Sequence, residues 1–85
     1  MIWKELFDDN PDSMGIHKAK CQFPVRIKSQ SLIAAGLKGK VLAGYSDYRQ
    51  DIIYILVALD EEDKEFGFDE VWVRIEDVEL LNVRA

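Results

Sequence analysis

The sequence predicts an all-β domain of about five short antiparallel strands with a short N-terminal arm or helix. Residues 52 to 59 form an apolar run without charge, Gly or Pro, and its length and β-branched content favour a strand. Residues 22 to 28 and 70 to 75 alternate apolar and polar side chains, which is typical of strands with one buried face. Polar or glycine-containing segments separate these stretches, so turns are expected between them.

Length and composition indicate a single folded domain. The chain has 85 residues, of which 48% are hydrophobic, and this composition is not that of a disordered protein. We expect residues 1 to 85 to be one domain, with residues 1 to 21 as the arm. The only cysteine, Cys21, cannot form an internal disulfide bond and is typical of a reducing compartment.

No targeting or membrane-spanning segment is visible in the sequence. Its N-terminus lacks the basic region and apolar stretch of a secretory signal. The longest apolar run, residues 52 to 59, is far shorter than the ~18 residues of a membrane span. We therefore expect a soluble cytoplasmic protein without membrane contact.

The N-terminal third predicts one local element and one strand. Residues 2 to 8 have apolar side chains at helical spacing, which predicts a short helix or turn that docks an aromatic side chain. Residues 14 to 21 are expected to be a connector. The strand at residues 22 to 28 contains Pro24, which cannot donate to a strand ladder, so an edge strand or a bulge is expected.

The rest of the chain predicts a helical turn and four further strands. Residues 32 to 36 are compatible with one helical turn, with Ser31 as its cap. Val41, Ala43 and Tyr45 are expected on one side of the strand at 41 to 46. In the strand at 70 to 75, the residues expected to face outward are Trp72 and Arg74. The predicted core consists of Val25, Ile27, Val41, Ile53, Ile55, Val57, Val71, Val73 and Ile75.

Two segments resemble parts of known small barrels. Residues 36 to 41, Gly-Leu-Lys-Gly-Lys-Val, form a glycine turn into a valine strand, and residues 71 to 80 resemble the end of a barrel. Over residues 22 to 81 the layout resembles SH3-like small barrels, which implies a sheet of five strands that is nearly closed. The closing stretch is also similar to small SH3-like subunits of photosynthetic NAD(P)H dehydrogenase complexes.

The glycine turn also resembles that of KOW-type barrels, which contact RNA on ribosomal and transcription proteins. That resemblance implies RNA or ribosome association through cationic side chains near the turn, namely Lys28, Lys38, Lys40 and Arg49. A purely structural alternative is that Gly36 caps a turn and Gly39 takes a positive φ in a hairpin. The acidic net charge of −5 argues against nucleic acid.

Charge is divided unevenly along the sequence. Residues 18 to 49 carry seven Lys and Arg against one Asp, whereas residues 50 to 85 carry eleven Asp and Glu against three Lys and Arg. These charges either pair across neighbouring strands or give the molecule one acidic and one basic face. The second alternative includes a small inhibitor whose acidic face imitates nucleic acid.

No catalytic, metal or cofactor site is expected. His17 and Cys21 are the only residues of their types, and no nucleophile triad, HExxH motif or dinucleotide fingerprint is present. The carboxylates at 60 to 65 and 69 to 70 lack the spacing of a calcium loop, so a solvated turn is expected there. We therefore predict a protein without enzymatic activity.

Aromatic side chains are the main functional indication. An exposed Trp beside Tyr and Arg is typical of a protein-binding surface. The residues expected to form this contact are Trp72, Arg74, Tyr45, Tyr48 and Tyr54. Alternatively, Trp3 or Phe7 of the arm covers Trp72, or the aromatics form a cage for a methylated cation as in Tudor-type barrels.

These observations predict a non-catalytic interaction module, such as an accessory subunit or regulator of a larger complex. Its partner is expected to be another protein or a second copy of the chain, and the acidic segment at 60 to 70 is expected to steer a basic partner.

Overall fold

The all-β class is confirmed by a computed structural model, which describes residues 3–47, 49, 51–60 and 69–81. These residues contain six antiparallel strands and two short 3-10 turns. The strands are β1 (Ile16–Lys18), β2 (Pro24–Ile27), β3 (Lys38–Ser46), β4 (Ile52–Leu59), β5 (Glu70–Arg74) and β6 (Val78–Leu80), and the 3-10 turns are Trp3–Leu6 and Ile75–Asp77.

All six strands belong to one sheet. Its strand order is β5-β4-β3-β2-β6, and β1 pairs with β3 beyond the end of β2. The long central strand β3 thus carries β4 along one edge and β1 and β2 in turn along the other. Among the described strands no pairing joins β5 to β6, so closure of the sheet into a barrel remains a prediction.

Most of the predicted core residues are buried. The seven that lie in the core as predicted are Val25, Ile27, Val41, Ile55, Val57, Val71 and Val73. Five further side chains complete the cluster, namely Leu6, Phe7, Ile52, Leu59 and Val78. As predicted, β5 alternates strictly, with Val71 and Val73 buried and Trp72 and Arg74 exposed.

Two irregularities in the β3–β4 pairing change which side chains face the core. Val41 pairs with Val57 but Ala43 pairs with Leu56, so Leu42 is an extra residue on β3. A bulge reverses the inward and outward alternation beyond it. The prediction that Tyr45 shares a side with Val41 is therefore wrong: Val41 is buried and Tyr45 is exposed.

A second register shift and the end of β5 explain the two core residues that were predicted wrongly. Tyr45 pairs with Tyr54 and Ser46 with Ile52, which leaves Ile53 as an extra residue on β4. Ile52 is consequently buried and Ile53 only partly so. Ile75 is also only partly buried, because β5 ends at Arg74 and Ile75 begins a 3-10 turn.

The strand that contains Pro24 is neither an edge strand nor bulged at that residue. β2 pairs with β3 on one side and with β6 on the other. Pro24 is the first residue of β2, where a missing N–H costs no ladder bond. Its carbonyl oxygen still accepts a hydrogen bond from the Leu81 N–H at 2.9 Å.

The N-terminal arm is part of the sheet and of the core. The predicted connector at residues 14 to 21 contains β1, whose His17 pairs with Gly44 of β3. The 3-10 turn at Trp3–Leu6 places Phe7 in the core at 1% exposure. The Phe7 ring lies over Gly44, where an added Cβ would be 3.0 Å from Phe7 Cε1. An aromatic therefore docks as predicted, but inside the molecule.

Residues 32 to 36 form bends and a turn, so the predicted helical turn is absent. The Ser31 hydroxyl donates to the Ile33 carbonyl oxygen at 2.8 Å and accepts from the Ile33 N–H at 3.2 Å, a local turn that competes with a helix. Ala34 and Gly36 both have positive φ, +54° and +83°, and a helix requires negative φ.

Candidate protein-binding face

Four side chains form a row across the outer side of the sheet. Tyr45 of β3 lies opposite Tyr54 of β4, and Tyr54 lies opposite Arg74 of β5. On the other edge of β3, Ile16 of β1 lies opposite Tyr45. Directly opposite residues have Cβ atoms about 4.5–5.5 Å apart, so these side chains are neighbours.

A second, adjacent row contains the tryptophan. Trp72 of β5 lies opposite Leu56 of β4, and Leu56 lies opposite Ala43 of β3. Lys18 of β1 completes the row opposite Ala43. The bulge at Leu42 creates this alignment, because it brings Ala43 and Tyr45 to the side that carries Trp72.

Exposed apolar side chains are concentrated at these rows. Trp72 is 38% exposed, Tyr54 40% and Tyr45 38%. Two open cavities of about 340 and 170 Å³ share Tyr54 and Trp72 in their linings. All six large hydrophobic side chains that are exposed among the described residues line these cavities, and we call them the outer apolar face: Met14, Leu32, Ile33, Tyr45, Tyr54 and Trp72.

The loop that carries two of these residues is held by a buried carboxylate. Asp77 is 2% exposed and accepts a hydrogen bond from the Gln30 side-chain amide at 2.8 Å. It also accepts one from Arg74 Nε at 3.1 Å. The Gln30 hydrogen bond, with the hydrogen bond and charge of Arg74, lowers the pKa of Asp77 below its ordinary value. Leu32 and Ile33 are two and three residues after Gln30, so this contact fixes the loop that places them beside Trp72.

Arg74 is bound within its own chain. Besides the hydrogen bond from Nε, its Nη2 lies 3.1 Å from Asp77 Oδ2 and its Nη1 lies 3.4 Å from Glu76 Oε1. Its pKa is raised, chiefly by the hydrogen bond to Asp77. Arg74 therefore lines the smaller cavity and binds Asp77, the residue that holds Gln30, while about half of its side chain remains exposed.

The described side chains of the arm border Trp72 and leave it partly exposed, whereas the side chain of Trp3 lies outside the described part. Met14 and Ile16 line the larger cavity together with Trp72, and Phe7 lies in the core. Tyr48, predicted to belong to the contact, lies outside the described residues. The other predicted aromatic residues, Tyr45, Tyr54 and Trp72, are brought together.

The residues of the alternative RNA site are spread along the molecule. Lys38 and Lys40 lie at the start of β3, and Lys28 donates its backbone N–H to the Asp77 carbonyl oxygen. Arg49 lies beyond the other end of β3, about 26 Å away by strand length. There its guanidinium lies 3.5 Å from Asp47.

The predicted glycine turn has two different backbone conformations. Gly36 has φ +83° with open space around it, so it ends a turn as the structural alternative proposed. Gly39 lies within β3 and is not among the glycines with positive φ, so that part of the alternative is wrong. A Cβ at Gly39 would overlap the Ala58 carbonyl oxygen, which is the reason for glycine at this position.

His17 has a structural environment. It is 6% exposed, and its Nδ1 lies 2.7 Å from the Asp8 carbonyl oxygen. A carbonyl oxygen only accepts, so Nδ1 carries the proton and donates. Nε2 lies 3.0 Å from Ser46 Oγ. Cys21 is exposed, and no group of three His, Cys, Asp or Glu arranged for a metal occurs in the part of the chain that the structure describes.

Three residues of the face, Met14, Leu32 and Ile33, are not among the contact residues that the sequence predicts. Met14 lies in a turn just before β1, within the segment predicted to be a connector. Leu32 and Ile33 were assigned to a helical turn. Two consecutive aliphatic residues in a polar loop, followed by Ala and Gly, were the signal available for them.

Comparisons with protein-family models, with curated proteins and with solved structures find no match. Within the described ranges, no helix has the length and apolar character needed to cross a bilayer.

Proposed function

We propose that this protein is a non-catalytic interaction module that binds another protein through its outer apolar face. The observation that carries the proposal is the gathering of every large exposed hydrophobic side chain of the described residues around two adjoining cavities. Contiguous exposed apolar patches on soluble proteins mark interaction sites, whereas isolated exposed residues do not. Trp and Tyr are also the residue types enriched at binding hot spots.

The same proposal includes an SH3-like barrel as the scaffold. It is supported by the strand order β5-β4-β3-β2-β6, which brings the last strand back beside β2, and by the 3-10 turn at Ile75–Asp77 between β5 and β6. A module of this kind acts as a small subunit or regulator within a larger complex, and its single cysteine fits a cytoplasmic location.

The proposal is tested by partner capture with wild type and Trp72→Ala. Both tagged proteins are crosslinked in extracts of the native host, and captured proteins are quantified by mass spectrometry. A specific partner should be depleted at least about tenfold with Trp72→Ala, because hot-spot side chains contribute roughly 2 kcal/mol or more. Arg49→Ala is the matched control, since Arg49 is exposed and lines neither cavity.

Equal capture by Trp72→Ala and wild type, with both proteins folded, would contradict the proposal. Circular dichroism and thermal melting establish folding before capture. Trp72 is 38% exposed, so its truncation should lower the melting temperature through the lost buried area but leave the domain folded.

RNA binding is the second candidate function, favoured by one observation. Lys38 and Lys40 are exposed on one side of β3, and Arg26 of β2 lies opposite Lys38. Arg26 is however paired with Glu79 of β6 at 3.7 Å. Phosphate binding depends on several uncompensated cations, so this group of three ranks below the outer apolar face.

A further inference from the structure

The outer apolar face lies between a basic and an acidic side of the sheet. Lys18 of β1 and Lys40 of β3 are exposed on one side. Glu70 and Arg74 of β5 are exposed on the other side, where the charge of Arg74 is balanced by Glu76 and Asp77. Lys40, Ala58 and Glu70 form a single row across β3, β4 and β5. The two charges at its ends are about 9–10 Å apart by strand spacing, with only a methyl group between them.

These two charges have no ion-pair partner among the described residues. Neither Lys40 nor Glu70 forms an ion pair within the part of the chain that the structure describes, whereas the nearby Arg26 is paired with Glu79 and Arg74 with Asp77. Such a surface carries unpaired charges of opposite sign on two sides of an apolar strip. A second copy rotated by 180° presents its acidic side to the basic side of the first, so the two surfaces are complementary.

We propose that a second copy of this chain covers the aromatic part of the outer apolar face, Tyr45, Tyr54 and Trp72, in a symmetric dimer whose two-fold axis runs along β4. The inference rests on the proposed function, because it names a partner for the same face. Rotation about this axis lays the basic side of one copy over the acidic side of the other. Lys40 then meets Glu70 of the second copy, and this contact occurs twice.

The two aromatic rows are complementary under the same rotation. The axis that brings Lys40 to Glu70 lies over β4, the strand between them. In the row of tyrosines this axis places Tyr54 over Tyr54 of the second copy, and such aromatic pairs prefer offset or edge-to-face contact. It also places Tyr45 over Arg74 of the second copy, which is a cation–π arrangement. The other row places Trp72 over Ala43 of the second copy, which is an apolar contact. The bulge at Leu42 is what allows the last two contacts, since it brings Ala43 and Tyr45 to this side of β3.

Other arrangements fit the charges less well. A two-fold axis across the strands that passes over this row would place Lys40 on Lys40 and Glu70 on Glu70, and such like-charge contacts are repulsive. A nucleic acid would meet Glu70 on the acidic side of the face. The three rows across β3, β4 and β5 contain nine residues, fewer than the roughly 20–30 residues per partner of a standard interface, so a dissociation constant in the micromolar range is expected.

The test is sedimentation equilibrium of wild type, Lys40→Glu, Glu70→Lys and their equimolar mixture, from about 5 to about 500 µM in order to bracket that affinity. Each single variant should weaken the dimer about tenfold, because two symmetric ion pairs become repulsive. The mixture should regain wild-type affinity, since each variant then meets the opposite charge in the other. Mixing repairs only contacts between copies, so it excludes an effect within one chain.

A monomeric wild type at the highest concentration, or a mixture no tighter than the single variants, would overturn the dimer. If a monomeric wild type still loses a captured protein with Trp72→Ala, only the second copy is refuted and the proposed function stands. Titration with a single-stranded oligouridylate tests whether RNA occupies the face instead of a second copy. Tight binding that depends on Trp72 would also overturn the dimer.

Discussion

Gly36 and Gly39 belong to one predicted turn but have different structural roles. Gly36 supplies a positive φ in a turn with open space around it. Gly39 allows β3 and β4 to approach, because a side chain there would collide with the backbone of β4. The sequence motif alone does not distinguish a residue needed for its φ from one needed for its size.

Substitution of the two glycines by alanine should therefore have different costs. Gly39→Ala places a Cβ 2.7 Å from Val57 Cγ1 and against the Ala58 carbonyl oxygen, and we expect a loss of about 1–3 kcal/mol from overpacking. Gly36→Ala, the control, meets only the strain of a positive φ, about 1 kcal/mol. Urea unfolding measures both. Equal losses of unfolding free energy in the two variants would show that β3 and β4 move apart to accommodate the Cβ at residue 39 without an energetic penalty.

At the scale of secondary-structure elements, alternation predicted the strands correctly where their pairing is regular. Val71, Val73 and Trp72 on β5 face as predicted, because no extra residue interrupts that strand. The prediction was wrong on β3 and β4, where Leu42 and Ile53 are extra residues. A bulge arises from pairing between distant strands, so no single stretch of sequence displays it. The face, which depends on the bulge at Leu42, was predictable only in part.

The bulge at Ile53 makes a sharp prediction for two isoleucines of one strand. Ile55 is 0% exposed within the core cluster, and Ile55→Ala should cost about 2–5 kcal/mol. Ile53 is only partly buried, so Ile53→Ala should cost clearly less than Ile55→Ala. Chemical denaturation of both variants decides the point. Similar losses would indicate that Ile53 is packed as deeply as simple alternation predicted.

Asp77, in the 3-10 turn at Ile75–Asp77, should make the free energy of unfolding depend on pH in the acidic range. The pKa of Asp77 is lowered in the folded protein, first by Gln30 and then by Arg74. A lowered native pKa stabilises the fold above the unfolded value of 3.8, and this contribution disappears as pH falls through the native pKa. Urea unfolding between about pH 2 and 6 should show this loss below about pH 4.

Asp77→Asn should remove part of that dependence and destabilise the protein at neutral pH. Glu79→Gln is the control, since Glu79 is exposed and its pair with Arg26 is partly solvated. Asp12 and Asp47 also have lowered pKa values, from backbone N–H donors of Ile16 and Asp51, so some dependence should persist in Asp77→Asn. An unchanged profile would refute the role of Asp77.

At the scale of the whole molecule, charge and fold limit the possible partners. The net charge is −5, and the cations of the predicted RNA site lie at both ends of β3. Electrostatic attraction to phosphates needs a continuous basic surface. The division of charge along the sequence is only partly a division in space. Lys18 and Lys40 lie on one side of the sheet and Glu70 on the other, but Arg26 of β2 pairs with Glu79 of β6.

We therefore predict no tight RNA binding at physiological salt. A fluorescence titration with single-stranded and hairpin RNA should give no saturation below about 10 µM, weaker than the affinities of specific binders. Lys38→Glu/Lys40→Glu is the matched variant and should behave like wild type. Submicromolar binding that this variant abolishes would instead make the glycine turn an RNA site.

The pairing of β6 with β2 has a consequence for how the chain folds as it is made. The contacts of β3 with β1, β2 and β4 join segments that are close in sequence. Ile27 of β2, by contrast, pairs with Val78 of β6, which is synthesised much later. Until β6 is synthesised, one edge of β2 keeps its backbone groups unpaired, and such an edge is a template for aggregation. The three-residue strand Val78–Leu80 thus protects a nascent chain in which every other described strand has already been made.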